Sequence, residues 1–209
     1  MIEIRSSYLK GSERRVDSKA YETDLCIVTA LAAPEMRAVE RIWSWEAAEP
    51  VDDVTFIRKG QFEAKGKTYS VAAAFAPRMG MVASALMSAK LICHLKPRFL
   101  VMAGICAGVS GKSDLGDIIV ADPNWDWQSG KRVRDKKNSS FSIAPHQLPA
   151  PGIVRSRADQ LAGNKEVWRE VLDKYDGKKS GKPPQMIPGP MASGSAVLAD
   201  GSVVDEIKF

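Results

Sequence analysis

The chain has 209 residues, of which 44% are hydrophobic and 26% are charged, and its formal net charge is +5. This length and apolar content can bury one substantial core, so we expect a single α/β-sized domain rather than two. A charged N-terminus and the lack of any apolar stretch of about 18 residues argue against secretion and membrane spanning, and predict a cytoplasmic protein. Because 30 basic residues are balanced by 25 acidic ones, composition does not compel nucleic-acid binding.

Cysteine and histidine spacing argues against disulfides and metal sites. Cys26, Cys93 and Cys106 are odd in number and form no CxxC pair. His94 and His146 lie far apart in sequence and form no HxxxH or HxH pair. We therefore expect no metal and no cofactor.

The first core element is predicted after a polar arm. Residues 1–22 are charged and read as an arm or linker, and the domain is predicted to span residues 23–209. The apolar run LCIVTA at 25–30 is typical of a strand buried on both faces. Pro34 suits the first position of a following helix, and Glu35 suits the positive end of its dipole. Apolar residues then recur at helical spacing at Met36, Val39 and Trp43.

The next segment predicts antiparallel strands and then a helix. Residues 54–76 alternate in polarity around a turn at Lys65 to Lys67, so the sheet is expected to be mixed. After a second turn at Pro77 to Gly80, apolar residues predict the buried face of an amphipathic helix that Pro97 ends. That face is expected to comprise Val82, Ala85, Leu86, Ala89, Ile92 and Cys93.

Two further strands flank a glycine-rich loop. Residues 98–104 and 116–122 read as strands, and glycines at the carboxyl end of a central strand mark a ligand crevice in open α/β sheets. From 123 to 185 the pattern weakens, and we expect an insertion carrying one helix near Val167. Its basic run at 130–137 is interpreted as a solvated loop in preference to a site for an anionic substrate tail.

Four motifs in order resemble the nucleoside phosphorylase superfamily. They are CIVTALAAPE at 26–35, APRMGMVASA at 76–85, VMAGICAGVSGKSDLGDIIVAD at 101–122 and MASGSAVLADGSV at 191–203. The resemblance is closest to the methylthioadenosine/S-adenosylhomocysteine nucleosidases. It implies a three-layer α/β/α fold around a mixed, partly barrel-like sheet, and a homo-oligomer that binds a small purine nucleoside or nucleotide.

The resemblance also implies which residues form the site. A glutamate after the first strand activates water in the nucleosidases, and Glu35 is the candidate here once a small insertion is allowed. The alternative for Glu35 is a residue that only favours the helix dipole. Substrate contacts are implied at Ala30, Met79, Gly80, Ile105, Cys106, Ala107, Gly108, Ala196, Val197 and Leu198. For Cys106 a role as a small buried residue is favoured over a nucleophile.

Water is favoured over phosphate as the attacking group. Phosphorolytic relatives place arginines near the glycine-rich segment, whereas this chain has Ile105 and Cys106 there, although Arg37 or Arg78 could contact phosphate. The aromatic residue that often stacks on the base is absent from 196–198, so Trp125 or Trp127 could supply it, or both could be packing residues.

The resemblance implies two elements that this sequence lacks. Family members continue into a methionine-glutamate motif that holds the ribose, and then into a strand ending at an aspartate that protonates the purine. Asp200 and Asp205 do not replace that aspartate by position. We therefore expect this chain by itself to be inactive and to be part of a longer N-glycosidase. The alternatives are a non-catalytic nucleoside-binding module and, ranked last, a nucleic-acid-binding protein.

Overall fold

A computed structural model describes residues 21–135, 138–144, 146–175, 177 and 182–195. It divides into two compact units, Met1–Ile105 and Cys106–Phe209. The predicted arm at 1–22 lies almost wholly outside the described residues, and its boundary with a domain at 23–209 stays a prediction.

The first unit is built on a five-stranded mixed sheet. Its strands are β1 (Thr23–Thr29), β2 (Glu49–Asp52), β3 (Thr55–Ala64), β4 (Lys67–Phe75) and β5 (Pro97–Met102). They lie in the order β2-β3-β4-β1-β5, with β1 parallel to both β4 and β5 and with β3 antiparallel to β4. The described strands form no closed barrel, so the sheet is open and mixed.

Strand β1 has the double-sided burial that its sequence predicts. Cys26 and Val28 pack on one face with Leu91 of the helix described below, while Ile27 packs on the other face with Met36 and Val39. An apolar side chain at nearly every position suits a parallel strand covered on both faces. This confirms the α/β class with helices on both sides of the sheet.

The hairpin between β3 and β4 is also confirmed. Ala64 pairs directly with Lys67, which leaves Lys65 and Gly66 as a two-residue turn. Both turn residues have positive φ, 51° and 70° respectively. That backbone twist matches the twist of the flanking strands.

The helix predicted from Pro34 begins later and is shorter. Residues Ala32–Met36 form one wide turn, closed by the Met36 N–H donating to the Leu31 carbonyl at 3.1 Å, and helix α1 spans only Arg37–Glu40. Pro34 carries no N–H, and Ala33 has extended backbone (φ −142°, ψ 136°), so no regular α-helix forms there. Met36 and Val39 are nevertheless buried as the apolar spacing predicts.

Helix α2 (Met81–Leu95) is present and Ile92 packs against the core as predicted, but most of the predicted buried face is wrong. The residues that face the sheet are Ser84, Met87, Leu91 and Leu95. Val82 is instead 73% exposed and Leu86 61% exposed, and Ala89 and Cys93 are exposed as well. Because both sides of this helix are apolar, periodicity could not decide which side packs on the sheet.

The second unit holds smaller sheets and two helices. Its elements are β6 (Ile118–Asp126), β7 (Gly130–Asp135), β8 (Asn138–Ile143), α3 (Gly152–Ala162), α4 (Lys165–Lys174) and β9 (Met186–Ser193). β6 pairs in parallel with β9, and β7 pairs with β8 as an antiparallel hairpin. The basic run expected to be a loop is therefore largely strand β7, and α3 is a helix that the sequence did not predict.

The longest described helix is α2, with 15 residues. None of the helices in the described part of the chain has the length and hydropathy needed to cross a membrane.

Candidate active site

Glu35 occupies the carboxyl end of β1 and is held by backbone donors. Its Oε2 accepts from the N–H groups of Ala30 and Leu31, both at 2.9 Å, and its Oε1 accepts from the N–H of Ile105, also at 2.9 Å. The residue is only 9% exposed. Because the chain reverses in the wide turn at Ala32–Met36, the Glu35 side chain points back to the carboxyl end of β1.

Parallel strands bring the contacting segments to the same edge of the sheet. Beyond β5, the Ala103 N–H donates to the Val28 carbonyl at 2.9 Å, so the chain stays beside β1 as far as Gly104. Beyond β4, the Ala76 N–H donates to the Thr29 carbonyl at 2.8 Å. Carboxyl ends of parallel strands are where open α/β sheets bind ligands.

Gly104 leaves the space that the Glu35 carboxylate fills. A Cβ atom at position 104 would lie 2.6 Å from Glu35 Oε1, closer than real Cβ contacts allow. Since the carboxylate is itself held by three N–H groups, it could not move aside without losing a donor. A glycine at position 104 is therefore required for the Glu35 carboxylate to lie where it does.

The arrangement leaves Glu35 able to accept one further hydrogen bond. A carboxylate offers about four lone-pair sites. Three are occupied by the backbone N–H groups, two on Oε2 and one on Oε1. The remaining site, on Oε1, receives no hydrogen bond from the described residues, and a general base needs such a site for the water that it activates.

The other predicted contacts of the first unit lie around this edge. Ala30 and Ile105 reach Glu35 through their backbone N–H groups, although the Ile105 side chain is 75% exposed. Met79 and Gly80 follow the Ala76 segment and precede α2. Gly80 has φ 113°, a backbone conformation that favours glycine, and Met79 is 56% exposed.

The remaining predicted contacts belong to the second unit or lie outside the described residues. Cys106, Ala107 and Gly108 are exposed, and Gly108 lies close against Ser113 Oγ. Because Cys106 is exposed, the expectation of a small buried residue there is wrong. Cys26 is the buried cysteine, and its burial raises the pKa of its thiol to about 12. Ala196, Val197 and Leu198 fall outside the described residues.

The two tryptophans proposed for base stacking differ in their surroundings. Trp125 is 6% exposed and lies on β6 opposite Ala192 of β9. Trp127 is half-buried, and its indole lies directly against Gly194. Its backbone N–H donates to the Ser193 carbonyl at 3.1 Å. Trp127 therefore lies beside the residues that immediately precede the 196–198 segment.

Sequence reasoning missed two parts of the Glu35 arrangement. Leu31 donates to the carboxylate, and Gly104 makes room for it, but neither was a candidate. For Leu31 no sequence signal exists because any residue except proline provides the same N–H. Among the described residues, no group of three or more histidine, cysteine, aspartate or glutamate side chains could hold a metal ion.

The fold is similar to that of several solved nucleosidases. The Helicobacter pylori 5'-methylthioadenosine/S-adenosylhomocysteine nucleosidase, solved with a pyrrolidine ligand, aligns with TM-score 0.63 and 13% identity over 90% of this chain and 70% of that chain. H. pylori futalosine hydrolase aligns with TM-score 0.60 and 13% identity over 89% and 70%. A putative Borrelia burgdorferi 5'-methylthioadenosine/S-adenosylhomocysteine nucleosidase bound to adenine aligns with TM-score 0.62 and 16% identity over 88% and 70%.

Sequence comparison gives the family. An uncharacterized Sinorhizobium fredii protein, y4jS, is 32% identical over 188 residues, which are 89% of this chain and 46% of that protein. This chain thus spans about half the length of that relative. The family model of the Phosphorylase superfamily matches residues 24–206, from the first strand past the Ala196 segment. The chain belongs to the Phosphorylase superfamily.

Proposed function

We propose that this chain is part of an enzyme that hydrolyses the N-ribosidic bond of an adenine nucleoside or nucleotide, with Glu35 activating the attacking water. The observation that carries this proposal is the Glu35 carboxylate, buried at the ligand-binding edge of the sheet with one acceptor site left on Oε1. A carboxylate that served only the helix dipole would need no partner outside the helix. This one points back to β1 and β5.

Water is the proposed nucleophile because the segment beside Glu35 carries no phosphate-binding side chain. Ile105 contributes a backbone N–H to the carboxylate, and its side chain is apolar. Arg37 and Arg78 are both exposed. Phosphorolysis remains the alternative reaction, and it is distinguished by whether base release requires inorganic phosphate.

Cleaving this bond places positive charge on the sugar and negative charge on the leaving base. Glu35 would take a proton from water as the sugar carbon is attacked. The methionine-glutamate motif and the strand-terminal aspartate that the resemblance assigns to the ribose and to the base do not occur in these 209 residues. Because this chain spans 46% of the S. fredii relative, the activity is proposed for the full-length gene product.

Adenine is proposed as the base on the resemblance and on the fold neighbours, one of which was solved with adenine. Trp127 is the proposed stacking residue in place of the aromatic side chain missing from 196–198. Its indole lies beside Gly194 and the residue is only half-buried, whereas Trp125 is buried. The enzyme is further proposed to be cytoplasmic and homo-oligomeric.

The test measures adenine release by the full-length gene product, detected by chromatography. The substrates are methylthioadenosine, adenosylhomocysteine and adenine nucleotides, each assayed with and without phosphate. Glu35→Gln keeps the size of the side chain but removes the base, so kcat should fall by about 10²- to 10⁴-fold. Glu40→Gln is the matched control, since Glu40 lies on α1, just after the turn that carries Glu35, and pairs with Arg58 at 2.9 Å.

Failure to release a base from any purine nucleoside or nucleotide would rule out the enzyme. Calorimetry with adenine nucleosides would then show whether the protein still binds this class of ligand. Binding of adenine nucleosides without turnover would indicate a nucleoside-binding module, and loss of binding as well would remove the proposed ligand class.

A further inference from the structure

A buried hydroxyl group lies at the end of β1, just before the turn that carries Glu35. It belongs to Thr29, the last residue of the strand, which is 0% exposed. Its Oγ1 donates to the Leu31 carbonyl at 3.0 Å. A buried hydroxyl is unfavourable unless it is hydrogen-bonded, and valine would fill nearly the same volume without that cost. Packing alone therefore does not explain a threonine at this position.

The bond from Thr29 holds the Leu31 carbonyl from one of two sides. On the other side the Met36 N–H donates to the same oxygen at 3.1 Å and closes the wide turn. A carbonyl oxygen has two lone pairs, so both are occupied. Thr29 itself is paired with Phe75 of β4. The hydroxyl therefore ties the start of the turn to the sheet and fixes the orientation of the peptide group that follows Leu31.

The Leu31 N–H lies in the preceding peptide group, and the peptide groups on both sides of that one are anchored. In the group before it, the Thr29 carbonyl accepts from the Ala76 N–H at 2.8 Å. The N–H of the same group, that of Ala30, donates to Glu35 Oε2 at 2.9 Å. The group after it is held by the Thr29 hydroxyl. Since each residue has only two soft backbone dihedrals, the Leu31 N–H has little freedom to turn away from Glu35 Oε2.

We propose that Thr29 is a positioning residue for the general base: its hydroxyl, acting through the Leu31 carbonyl, keeps the Leu31 N–H on Oε2 of Glu35. This inference rests on the proposed function, in which Glu35 activates water. Thr29 is 0% exposed, so it acts without touching substrate. A displacement of about 1 Å at a reacting group can cost about 10²-fold in rate. Loss of the hydroxyl should therefore lower kcat rather than change the binding of substrate.

The first test compares two substitutions of Thr29 in the full-length gene product. Thr29→Val keeps the branched shape but removes the donor, so kcat for base release should fall by about 10- to 10²-fold, with little change in KM. Thr29→Ser keeps the hydroxyl but removes a buried methyl group, so kcat should stay near the wild-type value while the urea midpoint of unfolding falls. A role in packing alone would give the opposite order, with Thr29→Val fully active, and that result would overturn the proposal.

The matched control is Thr23→Val. Thr23 is also buried and lies at the other end of the same strand, away from Glu35, so kcat should not change. A double-mutant cycle then tests whether Thr29 acts through Glu35. In the Glu35→Gln background the general base is already gone, and adding Thr29→Val should lower kcat little further. A further loss as large as that in the wild-type background would overturn the proposal.

Hydrogen–deuterium exchange tests the role of the hydroxyl without an assay of activity. Over the segment 30–36, measured by mass spectrometry, the amides of Thr29→Val should exchange about 5-fold faster, the equivalent of one hydrogen bond. Those of Thr29→Ser should match the wild type. Unchanged exchange in Thr29→Val would overturn the inference even if the enzyme is active. A full-length product that releases no base would instead remove the proposed function, so the two failures are distinguishable.

Discussion

The two units of this chain bury their apolar residues to very different extents. In the first unit, two clusters cover both faces of the sheet and include Cys26, Val28, Val71 and Leu91, each no more than 1% exposed. In the described part of the second unit, the buried apolar residues are Trp125, Ala158 and Trp168. The first unit therefore offers the more rigid support, and Glu35, the proposed general base, is held there.

The largest effect on stability is expected from the core of the first unit. Leu91→Ala removes a side chain that is 0% exposed and leaves a cavity under α2. The free energy of unfolding should fall by about 2–5 kcal/mol, measured by urea denaturation. Leu115→Ala is the matched control at a 94% exposed position of the second unit, and its change should stay within about 0.5 kcal/mol. Similar losses for both variants would contradict the comparison.

Gly104→Ala tests whether catalysis depends on the position in which the first unit holds the Glu35 carboxylate. The added methyl group would clash with Glu35 Oε1, so the carboxylate must give up its position. We expect kcat of the full-length enzyme to fall by about 10²-fold, with little change in substrate KM. Gly163→Ala is the control, since a Cβ there has only ordinary contacts at 3.8 Å. An unchanged kcat would show that the position of Glu35 does not limit the reaction.

A smaller effect is expected inside the second unit. Trp168 donates from its indole N–H to the Leu161 carbonyl at 2.7 Å, which ties α4 to the end of α3. Trp168→Phe keeps an aromatic ring but removes the donor, and should lower the free energy of unfolding by about 1 kcal/mol. A loss as large as that of Leu91→Ala would show that the second unit has a core comparable to that of the first.

The smallest effect concerns acid stability of the second unit. The Arg155 guanidinium at 2.6 Å and the Ala150 N–H hold the pKa of Asp122 below its usual range. A lowered folded pKa stabilises the protein above the unfolded value of about 3.9, and this contribution is lost as pH falls through the folded pKa. Asp122→Asn should therefore show a smaller fall in unfolding free energy between pH 5 and pH 3 than the wild type.

The control for Asp122 is Asp159→Asn. Asp159 contacts the same guanidinium at 3.1 Å, but its side chain is 54% exposed, against 14% for Asp122. The unfolding free energy of Asp159→Asn should fall between pH 5 and pH 3 by about as much as that of the wild type. If both variants behave alike, the Arg155 pair does not account for the pH dependence.

Local sequence patterns predicted the parts of the fold that depend on neighbouring residues. The apolar run of β1 and the turn at Lys65–Gly66 were both correct, since burial on two faces and a two-residue turn each leave a short-range signal. The helix after Pro34 was placed too early, because the wide turn depends on the backbone of Ala33. The basic strand β7 was missed, because its charges read as a solvated loop.

Contacts between distant residues could not be predicted in the same way. Glu35 was a candidate from its place after β1, but its bond to the Ile105 N–H joins positions 70 residues apart. The choice of buried face on α2 also depends on long-range packing, because Leu86 and Leu91 are equally apolar and only the sheet distinguishes them. The roles assigned to Met79, Gly80 and the glycine-rich segment stay predictions.

The main-chain donors around Glu35 have a consequence for mutational scanning. Ala30, Leu31 and Ile105 each contribute an N–H that every residue except proline possesses. Substituting their side chains one at a time would leave the carboxylate in place, so a scan would report these positions as tolerant. Evolution can therefore change the side chains at all three positions without moving Glu35, whereas a proline at any of them would remove one of the three N–H donors to its carboxylate.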